Sequence, residues 1–160
     1  MRLSRQELLT TLQQGNYQIN ADFSGVDLSK VDFAKEQIFL DGIRNLSSTD
    51  FSEAVLVEMN FTLKILDDAN FSKAVVRRAD FTEAKARRTV FLDCALNESN
   101  FFLADLSNAD FQNANLSSVY FGSARLIGAT FDGAIFSDET ILPDGTTWNK
   151  DVELQRFLQP

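Results

Sequence analysis

The sequence predicts an all-β solenoid, a rod of stacked coils wound around an apolar core. Between Thr49 and Pro143 the chain divides into 19 uninterrupted pentapeptides, and the third residue of each, here called the centre, is always apolar. Two positions before the centre, 15 of the 19 residues are Ala, Ser, Thr or Cys. A large and a small side chain at fixed intervals require a backbone that turns the same way each time. Such coils stack and bury a continuous core.

A period of five residues excludes the two commonest regular structures. An amphipathic helix repeats every 3.6 residues and a flat strand every two. A shorter run of three pentapeptides occupies residues 21–35, and 12 of the chain's 15 Phe are centres of the two runs. This concentration predicts that Phe fills the interior.

Composition argues against catalysis and against non-specific polyanion binding. The chain of 160 residues has a formal charge of −8, one cysteine and no histidine. The negative charge disfavours nucleic acid and anionic membranes. The absence of histidine removes the commonest general base and metal ligand, and no nucleotide-binding or hydrolase motif is present. We therefore expect no enzyme, cofactor or metal. A lone Cys94, no apolar leader and no membrane-length apolar segment predict a cytoplasmic protein.

Several tripeptides resemble the pentapeptide-repeat family, whose pattern is A(D/N)LXX. They include Ala79-Asp80-Phe81, Ala104-Asp105-Leu106 and Ala109-Asp110-Phe111. The resemblance implies a right-handed quadrilateral β-helix with four pentapeptides, and therefore twenty residues, per coil. Coils would stack at the spacing of β-strands, ~4.8 Å. The segment 142–148 is similar to cyanobacterial members of the family.

On this geometry, residues twenty apart lie above one another. Two columns of Phe then face each other across the interior: Phe51, Phe71, Phe91, Phe111, Phe131, and Phe61, Phe81, Phe101, Phe121. The basic pairs 77–78 and 87–88 fall on opposite faces, and acidic residues lie over them, such as Glu58 over Arg78. Alternating charge avoids like-charge stacking, so we interpret these residues as ladders and not as a nucleic-acid patch.

We interpret the chain as one domain with three parts. Residues 1–20 form an N-terminal helical cap, because Ser4 to Glu7 matches a capping box and Gly15 is a stop signal. Residues 21–143 form the β-helix, with a register break at 36–48 where the two runs differ by three residues. Residues 144–160 form a C-terminal cap, and a dimerisation element is the alternative interpretation of this tail.

Two groups of residues depart from the repeat. At an irregular corner, Lys64 occupies a position that should hold a small inward side chain, near Asp41, Asp67 and Asp68. Either the break lets Lys64 reach solvent or an Asp, or the corner is a binding site. The second group consists of apolar residues at outward positions of one face and is a candidate partner-contact patch: Leu63, Phe102, Leu103, Tyr120.

The sequence favours a rigid, non-enzymatic scaffold or interaction module. Its partner is expected to be another protein, without direct nucleic-acid or membrane contact, and the chain a monomer or weak homodimer. The family resemblance supplies an alternative, an inhibitor or protector of DNA gyrase that mimics DNA. Against this alternative, the chain has no long C-terminal dimerisation helix, and its mid-rod charges are balanced.

Overall fold

The computed structural model describes residues 5–15, 21–22, 27–151 and 154–160. The chain is a right-handed quadrilateral β-helix with a short helix near each terminus, which confirms the predicted fold class. The elements are α1 (Arg5–Gln14), β1 (Ala21–Asp22), β2 (Ile43–Asn45) and α2 (Gln155–Leu158). β1 pairs with β2 in parallel, and single parallel bridges between coils form the rest of the wall.

A spacing of twenty residues joins neighbouring coils, as the family resemblance implies. Parallel bridges link residues twenty apart from Asn45↔Ile65 through to Asn115↔Ile135. Each bridge consists of two backbone hydrogen bonds. At Asn70, for example, the N–H donates to the Thr49 carbonyl at 3.0 Å, and the carbonyl accepts from the Phe51 N–H at 2.7 Å. We name the four faces of the rod after one centre each: the Phe51, Leu56, Phe61 and Leu66 faces.

Each corner of the coil is a tight turn with a left-handed residue. Every fifth residue from Ser48 to Ser123 has φ between 55° and 63°, and Gly128 and Gly133 continue the series at 72° and 71°. A turn hydrogen bond such as Ala54 N–H to Phe51 C=O, 3.0 Å, closes most of the corners. This is the type II turn, whose third residue needs positive φ. The turns bring the small residues inward, and Ala54 is fully buried.

The Asp and Asn that precede the centres hold these turns. Asp80 Oδ1 accepts from the backbone N–H of Thr82 at 2.9 Å and from its hydroxyl at 2.6 Å. Asn70 does the same for Ser72. These are Asx turns, which fix the backbone two residues ahead. The recurrent carboxylates therefore have a structural role in the turns.

Stacked Phe rings fill the interior. In the Phe51 column, ring centroids are 4.7 Å apart between Phe51 and Phe71 and 5.1 Å between Phe71 and Phe91. In the opposite column, Phe61 and Phe81 are 4.7 Å apart. The columns contact each other edge to face, with centroid distances of 5.6–6.0 Å from Phe51 to Phe111. Both arrangements are favourable for aromatic quadrupoles.

Helix α1 lies at the N-terminal end of the core. Leu8 and Leu12 are buried in the same cluster as the Phe columns, and Leu9 packs against it. Gly15 has φ +62°, and its N–H donates to the Leu12 carbonyl at 3.2 Å. This left-handed Gly ends the helix as a C-cap. The expected capping box begins at Ser4, which lies outside the described residues.

An insertion of three residues separates the first coil from the second. Asp27 and Asp32 pair with residues 23 positions later, Asp50 and Val55. The extra residues lie within 34–42, where a turn at 34–37 is followed by an extended segment and a second turn at 41–42. β2 is already in the twenty-residue register, which makes the irregular segment narrower than the expected 36–48.

A second slip, by one residue, occurs in the last coil. Tyr120 pairs with Ile141, 21 residues later. The turn 137–140 accommodates the extra residue, with Thr140 N–H donating to the Ser137 carbonyl at 3.0 Å. Leu142 is buried at the centre position, while Ile141 is only half-buried. The assignment of Ile141 as a centre is therefore wrong.

The tail closes the C-terminal end of the core with side chains. The Trp148 ring stacks on Phe136 with a centroid distance of 4.3 Å, as a further coil would. Phe157 and Leu158 of α2 pack against the core. The Leu158 carbonyl accepts from the Gly128 N–H at 2.9 Å.

The single cysteine lies inside the wall of the rod. Cys94 is buried, and its Sγ donates to the Ala74 carbonyl at 3.2 Å. Burial raises the pKa of the thiol, so little reactive thiolate forms near neutral pH. We expect alkylation of Cys94 to be ~1,000-fold slower in the native protein than in denaturant, because access requires opening of the core. Mass spectrometry of iodoacetamide time courses measures this ratio, and equal rates would contradict the burial.

Candidate functional site

The candidate patch lies on the Phe61 face. Its turn residues Leu63 and Leu103 are 51% and 48% exposed, and Tyr120 is 40% exposed. Phe102 is half-buried. Both Leu residues occupy the left-handed turn position, with φ of 60° and 58°. A β-branched or aromatic side chain is strained at such a φ, and Leu is also uncommon there. The repeat itself gives no reason for Leu at this position.

Three of the four patch residues form one cluster. The Phe102 and Tyr120 ring centroids are 5.9 Å apart. The Tyr120 ring covers Gly122, where an added Cβ would lie 2.4 Å from its Cζ and Oη atoms. Leu103 follows Phe102, and its N–H donates to the Gly122 carbonyl at 3.0 Å. We call Phe102, Leu103 and Tyr120 the aromatic cluster.

Leu63 stands apart from the aromatic cluster. The column of this turn position runs through residues 63, 83 and 103, and Glu83 at its middle is exposed. Leu63 and Leu103 are therefore separated by two coil spacings, about 10 Å. A partner that covers both residues must also accommodate the carboxylate of Glu83.

Sequence analysis missed one exposed aromatic residue. Phe39 lies in the insertion, is 64% exposed and lines a concavity of about 400 Å³ with Met59 and Asp41. This concavity lies at the corner between the Leu56 and Phe61 faces, where Glu58 also borders it. Phe39 is a centre in neither repeat frame, and that mismatch is the signal that could have identified it.

Lys64 is buried and acts on the backbone of the insertion. Its side chain is only 7% exposed, and its Nζ donates to the carbonyls of Leu40 at 2.8 Å and Ile43 at 2.6 Å. Of the alternatives that the sequence left open, exposure of Lys64 to solvent is wrong, because the insertion folds over it, and Asp41 is the acid whose charge acts on it. Burial lowers the pKa of Lys64, and the negative charge of Asp41 opposes that change. Lys64 thus fastens the irregular segment to the regular wall.

Asp67 and Asp68 belong to a different contact. Asp67 accepts from the backbone N–H of Arg87 at 3.0 Å and pairs with its guanidinium, and Asp68 accepts two hydrogen bonds of 2.7 Å from Arg88. The hydrogen bonds from Arg88 lower the pKa of Asp68. The predicted irregular corner therefore divides into a Lys64 site beside Asp41 and an ion-pair ladder on the Leu66 face.

Ion pairs between neighbouring coils form in two of the predicted charge columns, which lie on opposite faces. Arg78 contacts Glu58 at 3.1 Å on the Leu56 face, twenty residues apart. Glu53 pairs with Lys30 at 3.6 Å, which fits the 23-residue offset of the first coil. Arg78, Arg87 and Arg88 contact carboxylates of the same rod, and this arrangement favours a ladder over a polyanion patch.

Each exposed ion pair of these charge columns contributes little to the stability of the fold. Arg78 and Glu58 are 54% and 64% exposed, so solvent screens their attraction. We expect Arg78→Gln to lower the free energy of unfolding by less than about 1 kcal/mol. Chemical denaturation at low and high salt measures this change, which should shrink as salt rises. A loss of several kcal/mol would contradict the ladder interpretation.

The described residues offer no group of three or more Cys, Asp and Glu side chains that could hold a metal ion. Within the same residues, no helix has the length and apolar character needed to cross a membrane.

A solved structure with a TM-score above 0.5 shares this fold. The chain is similar to the pentapeptide repeat protein Rfr23 from the cyanobacterium Cyanothece 51142, with 18% identity, a TM-score of 0.61 and coverage of 87% of this chain and 99% of that one. The chain is also similar, at a lower TM-score of 0.37, to full-length QnrB1, a plasmid-mediated fluoroquinolone resistance protein, with 18% identity and coverage of 86% of this chain and 84% of that one. A third similar structure is a pentapeptide repeat protein from the Arabidopsis thaliana thylakoid lumen, with 27% identity, a TM-score of 0.32 and coverage of 68% of this chain and 70% of that one.

No curated protein sequence matches the chain significantly. The family model for pentapeptide repeats does match, with eight copies over residues 45–77, 65–101 and 99–138. Together these segments cover more than half of the chain, and their centres are the stacked Phe and Leu of the core. The chain therefore belongs to the pentapeptide repeat family.

Proposed function

We propose that this protein is a rigid, non-enzymatic scaffold that binds another protein through the Phe61 face. The observation that carries the proposal is the aromatic cluster, in which Phe102 and Tyr120 lie 5.9 Å apart on a wall whose other turn positions are mostly polar. Exposed aromatic residues grouped on a surface are typical anchors of protein interfaces.

The wall holds the cluster in place before any partner arrives. The backbone of Phe102 is fixed by an Asx turn from Asn100, with Oδ1 accepting at 3.0 Å. Its carbonyl accepts from the Glu83 N–H at 2.9 Å, and Tyr120 N–H donates to Ser99 at 3.0 Å. Binding to such a preorganised surface loses little conformational entropy. A partner with an apolar surface of its own fits this cluster.

A pull-down with matched variants tests the proposal. We expect the wild-type protein to capture a specific partner, and Phe102→Asp combined with Leu103→Asp to lose it. Leu92→Asp is the control, because Leu92 occupies the same turn position as Phe102 on the opposite face. Circular dichroism verifies that all variants fold. Retention of the same partner by the double variant would overturn the role of the aromatic cluster.

The formal charge of −8 favours a second candidate, a DNA mimic that inhibits or protects DNA gyrase. Ion pairs partly neutralise the middle of the rod, where Arg78, Arg87 and Arg88 contact carboxylates. A supercoiling assay with excess protein separates the two candidates. The scaffold proposal expects no change in supercoiling, whereas inhibition or protection at stoichiometric protein would support the DNA mimic.

A further inference from the structure

Among the residues that the structure describes, the wall of the last coil ends in a strand edge whose outward backbone groups are not paired. On the side that faces the preceding coil, the Thr130 N–H donates to the Ala109 carbonyl at 3.0 Å, and the Thr130 carbonyl accepts from the Phe111 N–H at 2.8 Å. The groups that would face a further coil are the carbonyls of Ala129 and Ala134 and the N–H groups of Phe131, Gly133 and Phe136. Within the described residues, none of these five groups has a hydrogen-bond partner. We call residues 129–136 the terminal ledge.

The tail replaces the core of a further coil but not its wall along the ledge. Trp148 stacks on Phe136 at 4.3 Å, and Leu158 supplies a carbonyl to Gly128 at 2.9 Å. Phe131 and Phe136 nevertheless remain half-buried, whereas Phe111 and Leu116, twenty residues earlier, are fully buried. Ile135 is 57% exposed. The ledge thus combines free backbone groups with accessible aromatic surface.

These groups have the geometry that parallel pairing uses elsewhere in the rod. An exposed edge with alternating donors and acceptors binds extended peptides by adding a strand. Trp148 stacks on Phe136 at the height of a further coil, so the flat end of a second copy would meet this ring before it reached the ledge.

The acidic residues around the terminal ledge indicate which kind of peptide strand would bind there. Asp132 lies on the ledge, and Asp138 and Glu139 follow it, all of them exposed. No Lys or Arg occurs between Arg125 and Lys150. We propose that the terminal ledge binds an extended, positively charged peptide segment of a partner protein, which adds a strand to the last coil and places an apolar side chain against Phe131 or Phe136. This surface is distinct from the aromatic cluster, so either one can fail without the other.

Amide hydrogen exchange with a defined probe tests the inference. The probe is a short synthetic peptide, capped at both ends, in which valine alternates with lysine. At saturation we expect exchange of the Phe131, Gly133 and Phe136 amides to slow by at least ~10-fold, because strand pairing protects them. A peptide N-methylated at alternate residues should bind at least ~10-fold more weakly, because it cannot donate the hydrogen bonds that strand pairing requires.

A second experiment, with variants that lack acidic charge, tests the selectivity of the terminal ledge for basic peptides. Neutralising three acids at the ledge should weaken binding of the probe by ~3–10-fold at low salt and leave it unchanged at high salt. The ledge variant and its mid-rod control carry the same change in charge: Asp132→Asn, Asp138→Asn, Glu139→Gln, and Glu83→Gln, Asp93→Asn, Glu98→Gln.

Three results with the probe would overturn the inference: unchanged exchange at the ledge amides at saturation, equal affinity of the N-methylated peptide, and equal weakening by the ledge and mid-rod variants. Protection of the same amides without peptide, accompanied by dimerisation in sedimentation experiments, would assign the ledge to a second copy and also overturn it.

Discussion

Phe91→Ala is expected to lower the free energy of unfolding by about 3–5 kcal/mol, the cost of truncating a fully buried Phe. The Phe91 ring stacks between Phe71 and Phe111 at 5.1 and 5.0 Å and contacts Phe81 and Phe101 edge to face, each at 5.8 Å. The wall around it is hydrogen-bonded between every pair of coils and cannot collapse inward to fill the space. Equilibrium denaturation in urea measures the change.

Phe102→Ala is the matched control for this prediction. Phe102 lies eleven residues further along the chain at a half-exposed turn position, outside the Phe columns, where its ring neighbours Tyr120. We expect its truncation to cost less than about 1 kcal/mol, the range of ordinary surface substitutions. Similar losses at the two positions would show that the Phe columns do not form the core.

Lys64→Met is expected to destabilise the protein by about 2–4 kcal/mol, although it removes a buried charge. The Met side chain keeps the apolar stem but leaves the carbonyls of Leu40 and Ile43 without their donor. A buried acceptor that loses its partner costs roughly 1–3 kcal/mol. Hydrogen exchange should locate the effect in the insertion, and the matched variant Lys73→Met, at an exposed position, should change little. An equally stable Lys64→Met protein would contradict the fastening role.

The lowered pKa of Lys64 predicts a dependence of stability on pH. Because burial disfavours the charged form, the folded state loses its proton at lower pH than the unfolded state does. Between the lowered pKa and the ordinary value of 10.5, the unfolded state holds more protons, so this group makes the protein more stable as pH rises. The contribution should be absent in Lys64→Met. Parallel denaturation curves of the two proteins at increasing alkaline pH isolate it, and identical pH profiles would contradict the burial of the ammonium group.

The repeat determined the parts of the fold that depend on periodicity. A large side chain every fifth residue predicted that Phe fills the interior. The twenty-residue coil that the family resemblance implies predicted the Phe columns and the contact between Arg78 and Glu58. The aromatic pair Phe102 and Tyr120 also followed from positions that should be polar. In each case one local rule, applied many times, fixes where a side chain lies.

Departures from the repeat were harder to predict, because two apolar residues can compete for one position. At the last coil, Ile141 and Leu142 are adjacent and both suit the centre, and only the turn at 137–140 decides between them. For Lys64 the sequence placed the side chain inward, but its acceptors belong to the insertion, whose path the repeat does not determine. The terminal ledge likewise depends on where the tail lies after the last pentapeptide.

Pairs of engineered cysteines test the twenty-residue coil most directly. In a Cys94→Ala background, Val75→Cys with Ala95→Cys should form a disulfide under mild oxidation, since these residues are bridge partners. Strands lie about 4.8 Å apart, within the roughly 4.4–6.8 Å that a disulfide spans between Cα atoms. Lys85→Cys with Ala95→Cys, closer in sequence but on opposite faces, should stay reduced. A disulfide in the second pair and none in the first would contradict the stacked-coil account.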